Sequence, residues 1–159
     1  MGGNIDFSTG QVLTAAQLND IGDWKSWTPT LTNFSLGNGT MQAKYCQVGE
    51  ITFMQFYFLG GSTSTYGTSF RFSVPVTNDA SDLQYQPAGV GWVRPDKGGS
   101  IYTILGQVID ANCVLYAQNR AHPSTNYLYN ASVTSAIPAT WQTSSPYGDI
   151  FFQGWYRTS

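Results

Sequence analysis

From Trp27 onward apolar and polar side chains alternate with a period of two, and Gly, Asn, Ser and Pro break the pattern at short intervals. This predicts short strands joined by turns rather than helices. Phe70, Phe72, Val74 and Val76 alternate with Ser69, Arg71, Ser73 and Pro75, so this strand should bury one face and carry Pro75 near its end. Ile51 to Leu59 is apolar at nearly every position, which predicts a strand covered on both faces. Further strands are expected at Ala88–Val93, Ile101–Asp110, Cys113–Gln118, Asn126–Val133 and Ile150–Arg157. Asn38-Gly39 is the strongest turn signal, and Asp110-Ala111-Asn112 reads as a tight hairpin. About seven or eight strands at roughly ten-residue spacing fit an antiparallel, jelly-roll-like β-sandwich.

Residues 1–26 follow a different pattern. Thr14 is a good N-cap, Gln17 is its reciprocal partner, Leu13 and Leu18 occupy the positions of a hydrophobic staple, and Gly22 offers a C-terminal stop. The spacing predicts a helix of about two turns, too short to persist alone in water. It must dock, and Val12, Leu13, Leu18, Ile21 and Trp24 supply the apolar face. The chain thus divides into an N-terminal arm, 1–26, and a β domain, 27–159.

Composition narrows the function. The 159 residues suffice for one well-buried core. Only 10% are charged while 15% are aromatic, a balance that predicts burial beyond a lone protomer, in a homo-oligomer interface, the favoured reading, or against sugars stacked on the surface. A net charge of −2 without a basic run argues against nucleic acid as a partner. No stretch reaches the roughly 18 to 20 apolar residues of a membrane span, and the first residues have neither a basic nor an apolar leader region, so the expected site of synthesis and assembly is the cytoplasm. Cys46 and Cys113, far apart in sequence, are expected to be free, buried thiols.

Catalytic chemistry is sparse. His122 is the single histidine, so neither a metal site nor a Ser-His-Asp relay has a sequence signature, and no cofactor motif is present. The acids are one Glu and eight Asp, and most of the Asp residues sit in turn-like contexts such as Asn78-Asp79, Ser81-Asp82, Pro95-Asp96 and Gly148-Asp149. A non-enzymatic role is expected. For binding, Tyr66, Arg94, Asn119, Arg120 and His122, in or beside the longer connections, offer stacking surfaces and hydrogen-bond donors suited to a glycan or protein surface.

Two stretches carry a family resemblance. Trp27–Leu31, Gly37–Thr40, Lys44, Tyr45 and Gly49, then Ile137–Trp141, Gly148, Asp149, Gly154 and Tyr156, resemble the opening and closing strands of a β domain of tailed-bacteriophage tail fibres and virion appendages. Gly10–Gly22 is similar to the linker that joins such domains to the particle, while residues 77–135 carry only scattered similarity. The resemblance implies a virion protein: a short tail-fibre or fibre-tip domain, homotrimeric, attached to another virion protein by its arm and contacting the host surface. The alternatives are a capsid decoration or head-fibre protein and a carbohydrate-binding or polysaccharide-degrading appendage.

Overall fold

Ten strands follow one another along the chain in a computed structural model that describes residues 10, 12, 14–15, 21–78, 85–96, 99–109, 111–119, 129–136, 138–142 and 147–158. They are β1 (Lys25–Ser26), β2 (Leu31–Ser35), β3 (Thr40–Val48), β4 (Ile51–Leu59), β5 (Thr65–Ser73), β6 (Tyr85–Arg94), β7 (Tyr102–Ile109), β8 (Asn112–Asn119), β9 (Tyr129–Ser132) and β10 (Asp149–Arg157). The all-β, antiparallel expectation holds. The helix expected around residues 14–21 falls largely outside the described residues, with Leu13, Gln17 and Leu18 among those not described; Gly22 takes a φ of +77°.

The hydrogen bonds draw one continuous path, β1-β3-β4-β10-β6-β7-β8-β5-β2, with β9 paired to the distal half of β8. Strands β2 and β3 are joined by the short turn Leu36–Gly39 yet stand near opposite ends of this path. A sheet with such connectivity has to curl until its ends face each other. They meet through rings: Phe56 of β4 stacks on Phe72 of β5 at 4.4 Å, and Phe34 of β2 packs edge-on against Phe58 of β4 at 5.3 Å.

Alternation decides which side chains reach that interior. In β4, Thr52, Met54, Phe56 and Phe58 point inward and are buried; in β10, Ile150, Phe152 and Tyr156 do the same. Each fully buried Phe contributes roughly 1.5–3 kcal/mol of transfer free energy, and the ring pairs add geometry-specific attraction. Gly106 shows how tightly the layers meet, because a Cβ there would strike the ring of Phe152. Eight aromatic side chains, six Phe with Trp141 and Tyr156, are thus buried in the protomer's own core.

Turns close the two ends of the sheet differently. At one end Val48 and Ile51 flank a two-residue loop whose first position, Gly49, has a φ of +57°, as a type II′ hairpin requires. At the other, the Asn38-Gly39 turn forms as expected, with Gly39 N–H donating to the Leu36 carbonyl at 2.9 Å, but it joins strands that do not pair. It is clamped instead to the neighbouring turn, where the Asn38 backbone N–H donates to Thr63 Oγ1 at 2.8 Å and the Asn38 carboxamide donates to Ser62 Oγ at 3.0 Å. Of the strand expected at 126–133, Tyr129–Ser132 form β9 while 126–128 lie outside the described residues, and Pro75 lies just beyond the end of β5.

Candidate functional site

The strands β4, β10 and β6 are contiguous, and their register fixes which side chains share the outward face. Moving along it, Phe53 stands opposite Trp155; Gln55, Gln153 and Val90 form the next row; Tyr57, Phe151 and Trp92 the third; Leu59, Asp149 and Arg94 the last. Ile51 to Leu59 was expected to be covered on both faces. Instead Gln55 is exposed and Phe53 remains 39% exposed, alongside Val90 at 52% and Trp155 at 55%. The polar Gln within an apolar run is the sequence signal that this face meets solvent.

The first two rows and Trp24 enclose a shallow, open trough of about 350 Å³ lined by Trp24, Phe53, Met54, Gln55, Gly89, Val90, Gln153, Gly154 and Trp155. No ionisable side chain among the described residues lines it. Gly154 and Gly89, paired across β10 and β6, contribute backbone to its lining, and the strands approach there so closely that a Cβ on Gly154 would strike the Ala88 carbonyl. The Gln55 and Gln153 carboxamides, neighbours across β4 and β10, have no hydrogen-bond partner among the described residues. Trp24 reaches the trough because β1 adds to the edge of β3, pairing Lys25 with Tyr45 and Ser26 with Lys44. Cys46, on the same outward face of β3, is nonetheless buried, and burial pushes its thiol pKa up.

At the far end of the face a charge pair is enclosed. Arg94 Nε donates to Asp149 Oδ1 at 3.0 Å and Arg94 Nη2 to Oδ2 at 2.6 Å, a bidentate fork, while the guanidinium lies 5.5 Å from the Trp92 ring centroid. The bond to Asp149 holds the Arg94 pKa above its ordinary value. The Tyr57 phenol is raised by burial, with the Asp149 charge adding to the effect. Asp149 was expected to serve a turn; it opens β10 and is 1% exposed, so its role is the ion pair instead.

The sequence-selected residues distribute as follows. Among the arm residues, Val12, Ile21 and Trp24 are exposed, at 85%, 43% and 44%, while Leu13 and Leu18 lie outside the described residues. The registers bring Tyr66, Arg94 and Asn119 to one end of the sheet, the end holding the Leu36–Gly39 and Gly60–Ser64 turns. Tyr66 is drawn into a ring stack with Trp141 at 4.9 Å, and burial raises its phenol pKa. Its hydroxyl occupies the space a Cβ on Gly60 would need. Arg94 is engaged by Asp149, Arg120 and His122 lie outside the described residues, and the side chain of Asn119 is likewise not described. The outward Gln55, Gln153 and Trp155 were not singled out by sequence reasoning, although the alternation of Phe152, Gly154 and Tyr156 with Gln153 and Trp155 carries their orientation.

Cys46 and Cys113 are free and buried, as expected. Among the described residues no group of three His, Cys, Asp or Glu side chains could hold a metal ion, and no helix is long and apolar enough to cross a membrane. No family model matches the chain, and neither a curated protein nor a solved structure matches it.

Proposed function

We propose that the protein is a structural component of a tailed-bacteriophage particle: a short tail-fibre or fibre-tip domain, trimeric, held to the particle by residues 1–26 and presenting 27–159 to the host surface. In this reading the curled sheet is a jelly-roll-like sandwich and the role is adhesive rather than catalytic.

One observation carries the reading. The arm joins the sheet at the β3–β4 hairpin end, where a Cβ on Gly22 would lie 3.8 Å from Val48 and Trp24 precedes the β1–β3 pairs. Tyr66, Arg94 and Asn119 stand at the opposite end, near the last row of the outward face. An anchor at one pole and loops at the other is what an appendage needs, and the exposed Ile21 and Trp24 give the anchor apolar surface to bury. The resemblance of the opening and closing strands to appendage domains points the same way.

Deletion of residues 1–26 tests it. The truncated chain loses only the two residue pairs of β1 from its ladder, so it should stay folded while failing to enter particles. Incorporation at the full-length level would refute the attachment role. Sedimentation equilibrium tests the trimer, and a stable monomer at micromolar concentration would remove it.

A further inference from the structure

We propose that the trough between Trp24, Phe53, Val90 and Trp155 binds a neutral saccharide. The inference goes beyond the appendage reading, because the trough lies at the arm end of the sheet rather than at the pole presented to the host, and it stands on three features of that site.

First, exposed apolar side chains border a polar centre rather than forming a uniformly apolar patch. Gln55 and Gln153 lie directly opposite each other across β4 and β10, flanked on one side by Phe53 and Trp155 and on the other by Val90. Each carboxamide offers two donors and an acceptor with no protein partner among the described residues. An apolar protein surface laid over them would strand those groups, at about 1–3 kcal/mol for each one left unsatisfied. The occupant must therefore bring hydroxyl groups to the centre and apolar faces to the rim. A pyranose ring does both, since its C–H faces complement the electron-rich faces of Trp and Phe while its hydroxyls reach the amides.

Second, none of the nine described lining residues is ionisable, so no described side chain there would compensate the desolvation of a charged ligand. A neutral sugar fits this; a phosphorylated or sialylated one does not. Third, the volume of about 350 Å³ sits at the lower end of the roughly 300–1,000 Å³ usual for small-ligand sites, room for one or two sugar rings. Gly89 and Gly154 are part of the lining, so an incoming ring meets backbone there.

Titration of the full-length protein with methyl α-glucoside, methyl β-galactoside, N-acetylglucosamine, maltotriose, cellotriose and chitotriose tests the site. The readouts are tryptophan fluorescence and amide chemical shifts. At least one probe should give a saturable response with Kd of about 0.1–10 mM, shifting amides of Gln55, Gly89 and Gln153. Trp155→Ala and Gln153→Leu should each weaken it at least tenfold, with unchanged circular dichroism establishing that both remain folded. The proposal is overturned if no probe saturates, if both variants bind as the wild type does, or if the face instead drives self-association that Trp155→Ala abolishes. A full-length protein that enters particles but binds none of the probes would strike the ligand assignment alone, whereas a full-length protein that binds a probe but enters no particle would strike the appendage reading alone.

Discussion

Two phenylalanines on adjacent strands, Phe152 and Phe53, test whether the outward face of β4 and β10 is free for a partner. Phe152 is fully buried, lies edge-on to Phe72 at 5.9 Å, and covers Gly106 closely enough to exclude a Cβ there. Phe152→Ala should therefore cost about 4 kcal/mol, the sum of lost transfer free energy and an unfilled cavity in an interior with no slack. Phe53 is 39% exposed. With about three-fifths of its surface covered and no enclosed cavity to leave behind, Phe53→Ala should cost about 1 kcal/mol. In a chain of this size the pair predicts a fall in Tm of about 8–16 °C for the first variant and about 2–4 °C for the second. Urea unfolding followed by tryptophan fluorescence and far-UV circular dichroism gives both values, provided the m-values agree with wild type. Costs within 1 kcal/mol of each other would refute the reasoning, because they would mean that the chain covers Phe53 as fully as it covers Phe152.

The remaining predictions concern the ion pair, the glycine floor and alkaline pH. Arg94→Ala leaves Asp149, whose side chain is 2% exposed, with a buried and unpaired charge and should cost about 3 kcal/mol; Asp149→Ala leaves a guanidinium that is 23% exposed and should cost about 1–2 kcal/mol. The reverse order in urea unfolding would contradict the enclosure of that carboxylate. Gly154→Ala drives a methyl group into the Ala88 carbonyl and should cost at least about 3 kcal/mol or prevent folding, whereas wild-type stability would show that β10 and β6 do not approach as described. Burial raises the Tyr156 phenol above its ordinary value near 10, so the native state retains a proton the unfolded chain gives up. Its contribution is complete below about pH 10 and is lost as pH rises through the native value. Tyr156→Phe should cost about 1–3 kcal/mol at pH 8, through the bonds between its hydroxyl and the Val76 backbone, and should make the decline in urea midpoint between about pH 10 and 11 shallower. An unchanged slope would show that Tyr156 does not drive the decline.

What the sequence disclosed follows from which interactions are local. Alternation over Phe70–Val74, the Asp110-Ala111 hairpin between paired Ile109 and Asn112, and the turn at Asn38-Gly39 were legible because a strand's face and a turn's dihedrals are set within a few residues. Pairing partners were not. Nothing near Leu36–Gly39 announces that the strands it joins lie at opposite ends of a curled path, since that depends on rings as distant as Phe56 and Phe72. The same limit hid the Arg94–Asp149 pair, whose members are far apart in sequence and meet through the β6–β10 register. Nor could the sequence show that half-buried Tyr66, beside a loop, stacks with Trp141 and Phe70.

These long-range contacts alter what the composition implies about assembly. A chain with 15% aromatic and 10% charged residues invites the inference that rings must be hidden by neighbouring copies. Yet Phe34, Phe56, Phe58, Phe70, Phe72, Phe152, Trp141 and Tyr156 are all buried within one protomer. The low charge is then compatible with a single sheet curled around its own rings, and composition lends the proposed trimer no support of its own. Of the eight large apolar side chains exposed among the described residues, four, Trp24, Phe53, Val90 and Trp155, gather in one place. Large apolar side chains gathered on one face carry a solubility cost that scattered ones do not, so the concentration of these four around Gln55 and Gln153 is the feature a functional account of this chain has to explain.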